Sequence, residues 1–83
     1  MFTDFLVRRG RGDTFYSEIL TVEKNSVKVW SFEEGNLLQK YNLGIHKPIV
    51  SAIYANNIIT LVLEDGLIIK LDENVQIISL FYQ

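Results

Sequence analysis

Arg8, Arg9 and Arg11 stand together in the stretch LVRRGRGDTF, and they are the only arginines in the chain. A guanidinium offers a planar fork of donors that suits phosphate or carboxylate oxygens. Phe5, Phe15 and Tyr16 lie close in sequence and could supply the stacking surfaces that single-stranded nucleic acid requires. Gly10 and Gly12 do not make a phosphate loop, because neither the following lysine and serine nor a helix opening is present. Arg11-Gly12-Asp13 spells a cell-adhesion tripeptide, yet the N-terminal residues lack the apolar run and small-residue cleavage site of a secretory signal. The stretch therefore reads as a charged hairpin between two strands. Its candidate partner-binding residues are Arg8, Arg9, Arg11, Asp13 and Phe15.

Other reactive groups are sparse. His46 is the only histidine and no cysteine is present, which removes thiolate metal sites and cysteine–histidine catalysis. His46 itself reads as a structural residue of a connecting loop. The acidic pairs Glu33-Glu34, Glu64-Asp65 and Asp72-Glu73 each fall in a predicted turn. General acid–base work needs carboxylates that converge across a cleft, and neighbouring turn residues do not provide that. Asp72-Glu73-Asn74 also lacks the spaced ligands and glycine of a calcium loop. No catalytic residue, metal site or cofactor is expected. Trp30 reads as packing within a strand, or as an interface anchor if its face is left open.

Composition bounds the rest. With 83 residues the chain makes one small domain at most, and its hydrophobic share of 48% is that of a globular protein. The net charge of −2 excludes a generally basic nucleic-acid binder and leaves only a local basic patch. The longest uncharged apolar run considered, Ile58 to Leu63, is far short of the roughly 20 residues that span a bilayer. The expectation is a soluble, cytoplasmic protein with no membrane partner.

Short apolar runs alternate with turn signals along the whole chain. Strands are predicted over Phe2–Arg8, Thr14–Val22, Val27–Phe32, Leu37–Leu43, Ile49–Tyr54, Ile58–Leu63, Leu67–Leu71 and Val75–Tyr82. Asn56-Asn57 is a two-residue hairpin turn, since asparagine tolerates positive φ. One segment competes: Ser31 with Glu34 three residues on is a capping-box pattern, and Gly44 offers a stop. An α+β fold with a helix near 32–43 is thus one structural alternative, and a small β-barrel or sandwich is another.

Sliding the chain by 41 positions lays LTVEKNSVKVWS over LVLEDGLIIKLD, with Leu20 on Leu61 and Trp30-Ser31 on Leu71-Asp72. A one-residue deletion then sets Leu37–Tyr41 over Ile77–Phe81. The period is that of a WD-type propeller blade. VKVWS, EEGNLLQKY and LGIHKPIVSAIY resemble the third strand, the outer strand and the glycine–histidine entry segment of the WD-repeat family, over about residues 18 to 83. Ser31 stands where the family has aspartate, Leu71 where it has tryptophan, and Ile45 separates Gly44 from His46.

The resemblance implies an all-β antiparallel meander of two propeller-like four-stranded units, about 1–43 and 44–83, within one domain. Two blades do not close a propeller, which usually takes 4 to 8. Such a chain would assemble into a ring, form part of a longer propeller, or fold its strands into a compact barrel. The functional expectation is a non-catalytic protein-interaction module, an adaptor or inhibitor, acting through exposed strand edges or homo-oligomeric self-assembly. A lectin-like oligomeric ligand binder, and nucleic-acid or phosphate binding by the arginine hairpin, are the alternatives.

Overall fold

The computed structural model describes the backbone of residues 3–11 and 14–83, and the side chains of Asp4 and residues 17–83. Eight strands follow one another: β1 (Thr3–Arg11), β2 (Thr14–Val22), β3 (Ser26–Ser31), β4 (Leu37–Asn42), β5 (Ile49–Ala55), β6 (Ile58–Leu63), β7 (Leu67–Leu71) and β8 (Ile77–Tyr82). They form two antiparallel meanders of four strands each, ordered β1-β2-β3-β4 and β5-β6-β7-β8. The fold is all-β, as the spacing of apolar runs and turn signals predicts. Among the described residues no helix is long and apolar enough to cross a membrane.

Local chemistry explains the turns. Asn56 and Asn57 take φ of 53° and 64°, which suits the twist of a two-residue hairpin between β5 and β6. The β2–β3 turn closes with the Glu23 N–H donating to the Ser26 carbonyl at 3.0 Å. The capping pattern at Ser31 is real but caps a single turn. Ser31 Oγ accepts the Glu34 N–H at 3.1 Å, and the Gly35 N–H donates to the Ser31 carbonyl at 2.9 Å. Gly35 then takes φ of 75°, which a continuing right-handed helix cannot accommodate, and β4 begins at Leu37. No helix forms near 32–43.

One apolar core joins the sheets. Leu20 and Val22 of β2 and Val27 and Val29 of β3 meet Ile49, Ile59, Leu61, Leu63, Ile69 and Leu71 of the second sheet, with Val75 from the last turn. β2, β3, β6 and β7 contribute alternate residues, because successive side chains point to opposite faces. The connection between the sheets is tied by main-chain bonds. The Ile49 N–H donates to the Lys24 carbonyl at 2.7 Å, and the Glu64 N–H donates to the Pro48 carbonyl at 3.0 Å.

Strand pairing gives the repeat a structural register. β3 against β4 carries a bulge between Val29 and Trp30, leaving Leu38 unpaired, and β7 against β8 carries the same bulge between Lys70 and Leu71, leaving Ile78 unpaired. Val29 thus corresponds to Lys70 and Trp30 to Leu71, as the 41-residue shift predicts. The second strands are the exception. Val22 pairs with Val27 and Val62 with Ile68, so Val22 corresponds to Val62 and Leu20 to Thr60, not to Leu61. Between these pairs the first hairpin holds four residues, 23–26, and the second holds five, 63–67, with Gly66 at φ of 94°, and the extra residue shifts the frame.

This correction decides how the sheets stack. Val27 and Val29 face the core, whereas their counterparts Ile68 and Lys70 lie on the far face of the second sheet. The front of the first sheet therefore packs on the back of the second. Two faces remain uncovered: the back of the first sheet and the front of the second.

Candidate interaction surface

The arginine segment is strand, not loop. β1 continues through Arg11, pairing Arg8 with Ser17, Arg9 with Tyr16, Gly10 with Phe15 and Arg11 with Thr14. The apolar and β-branched residues at the start of β2 extend the ladder beyond the end predicted at Arg8. The hairpin reading is thereby narrowed from a turn beginning after Arg8 to one in which β1 and β2 are separated only by positions 12 and 13. Asp13 lies outside the described residues, as do the side chains of Arg8, Arg9, Arg11 and Phe15.

Trp30 sits half-buried on the back of the first sheet, where its indole N–H donates to Thr21 Oγ1 at 2.9 Å. Beside it the Lys28 ammonium lies 2.8 Å from the Glu23 carboxylate and holds that carboxyl below its ordinary value. The counterparts of Thr21, Lys28 and Trp30 on the back of the second sheet are the buried Leu61, Ile69 and Leu71. The same scaffold thus presents a polar, internally bonded face at one end of the stack and an apolar one in its middle.

The paired carboxylates are occupied with turn geometry. Asp72 Oδ1 accepts the N–H groups of Asn74 and Gln76, each at 2.9 Å, and Asp65 Oδ1 accepts the Leu67 N–H at 3.2 Å. Glu73 accepts the phenol O–H of Tyr54. Burial, with Glu73 as hydrogen-bond partner and neighbouring charge, pushes the Tyr54 hydroxyl up to about 12. Among the described residues no group of three histidine, cysteine or carboxylate side chains is placed to hold a metal. His46 is exposed at the rim of a cleft of about 310 Å³, where the connection 43–47 stands over Leu63, Leu67, Ile69, Leu80 and Tyr82.

The most distinctive surface is one the residue chemistry did not single out. β8 forms one edge of the second sheet and β5 the other, and β8 exposes apolar side chains on both faces, Leu80 at 57% and Tyr82 at 67% among them. Ile77, Ile78 and Phe81 are exposed as well. The front of the same sheet continues this surface through Ile53, Val62 and Ile68. From 75 to 83 the chain carries no charge. The corresponding edge β4 has Lys40 where β8 has Leu80, and Asn42 where β8 has Tyr82. Lysine on an edge strand discourages pairing with another chain, and β8 has no such guard. The run without charge was readable in the sequence, but its position at an edge was not.

No family model matches the chain, and neither a curated protein nor a solved structure matches it significantly.

Proposed function

We propose that this chain is a non-catalytic protein-interaction module that engages a polypeptide through the unguarded edge β8 and the adjoining front of its sheet. The observation that carries the reading is the exposed, uncharged β8, apolar on both faces, beside a β4 of the same design that is guarded by Lys40. An edge strand supplies a row of main-chain donors and acceptors, and flanking apolar side chains add affinity. Contiguous exposed apolar surface of this kind is a mark of interaction sites. The WD-like motifs and the matched bulges of the two meanders support a blade-like repeat as the scaffold of this module. Adaptor or inhibitor action in the cytoplasm belongs to the same reading.

Absolute solution mass and apolar-dye binding test it together. The expected result is either assembly beyond one chain or a strong rise in dye fluorescence on the folded protein. A monodisperse single chain that leaves the dye dark rejects the reading.

A further inference from the structure

Building on that reading, we propose that the occupant of β8 is β8 of a second copy, paired antiparallel about a two-fold axis at Leu80. The two second sheets then run on as one sheet of eight strands.

The main chain specifies which groups are available. The Gln83 N–H donates inward to the Gly66 carbonyl at 3.2 Å, and Phe81 pairs with Ile68. In an antiparallel ladder the direction of the backbone groups alternates, so the N–H and C=O of Leu80 and Tyr82 point out from the sheet. A two-fold at Leu80 sets the Leu80 groups against their own copies. Leu80 then faces Leu80 of the second copy, Tyr82 faces Ile78, and Phe81 faces Ser79. All of these except Ser79 are exposed apolar side chains in the single chain, so the pairing covers them.

Charge favours a copy over an unlike partner. Like charges opposed across a strand pair are destabilising, and a homotypic pair brings every charge of its strand to the contact twice. β8 contains none and pairs with itself without that penalty. A two-fold contact uses the same edge of both chains and consumes it, so pairing through β8 closes as a dimer.

Face-to-face stacking into a ring fits less well. It would press the front of the second sheet, largely apolar but carrying Lys70, against the back of another first sheet, which holds the Glu23–Lys28 ion pair and the Trp30–Thr21 hydrogen bond. Burying an ion pair costs its hydration, and apolar partner atoms do not return it.

The test compares wild type with L80K, which places a lysine where β4 has one. Leu80 is 57% exposed, so the variant is expected to fold, with an unchanged far-ultraviolet spectrum. Wild type should have the mass of two chains over two decades of concentration, and L80K the mass of one. Amide hydrogen exchange at Leu80 and Tyr82 should be slow in wild type and fast in L80K. A dimer that survives in L80K, or one with unprotected Leu80 and Tyr82 amides, overturns the pairing. A wild-type single chain that still binds apolar dye overturns it too, yet leaves the interaction-module reading standing. A single chain that leaves the dye dark overturns both.

Discussion

Val75 holds φ at 60° while its side chain is only 6% exposed, a conflict that substitution can measure. A residue with a Cβ in the left-handed region pays roughly 1–2 kcal/mol, and a β-branched residue is especially uncommon there. The corresponding position of the first meander is Gly35, at φ of 75°, which carries no such cost. Val75 is retained there by burial, in the same apolar cluster as Tyr41 and Leu43. At about 0.8 kcal/mol per buried carbon, V75A forfeits about 1.6 kcal/mol of burial and keeps much of the backbone cost. V75G forfeits about 2.4 kcal/mol of burial but recovers roughly 1–2 kcal/mol of dihedral strain. At an ordinary strand position glycine is worse than alanine by about 0.5–1 kcal/mol. Here the order should reverse, with V75G more stable than V75A by up to about 1 kcal/mol. G35A supplies the control: nothing lies within 4 Å of an added Cβ, so it reads the dihedral cost alone, about 1 kcal/mol. Urea unfolding resolves these differences, because with m near 1 kcal/mol/M each kcal/mol moves the midpoint by about 1 M. If V75A is the more stable variant by about 0.5 kcal/mol, or G35A matches wild type, the strain argument is wrong.

Two further variants probe the core and its alkaline limit. Leu61 is fully buried between the sheets, and L61A should cost about 2–5 kcal/mol, a large share of the stability of so small a domain. A thermal melt within a few degrees of wild type would contradict a core shared by both sheets. Tyr54, pushed up to about 12 against an ordinary value near 10, holds its proton more tightly folded than unfolded. Its contribution is complete below pH 10 and is lost as pH rises through about 12, so the urea midpoint should fall across that window in wild type and fall less in Y54F. Equal slopes in the two proteins would show that Tyr54 carries none of the alkaline sensitivity.

Much of the architecture was legible because it is local. Alternation in VKVWS and IITLVL specifies strands, Asn56-Asn57 specifies a tight hairpin, and the repeat predicts that β7 follows β3. The helix alternative arose because Ser31 and Glu34 do make the hydrogen bond of a cap, and only Gly35 decides that one turn suffices. Matching Leu20 to Leu61 failed because similarity of side chains cannot register an inserted residue in a turn, whereas hydrogen-bonded pairing can. The arginines drew attention as chemistry, yet their backbone lies in a paired strand, and the extent of that strand depends on its partner β2.

Local sequence pointed to a β-meander in two repeats, with a helix near 32–43 and a closed barrel left open, since a period of two and turn residues act over a few positions. It also determined which residues share a face of each strand. Only the tertiary structure decided which of those faces is covered. The front of the first sheet is buried, while the same positions in the second sheet remain open, because stacking is a contact between segments about 40 residues apart. It likewise decided that Ile77–Tyr82 is an edge while Ile58–Leu63, equally apolar, lies between two neighbours. An apolar strand declares that it must be buried, and only its neighbours in space declare whether it has been.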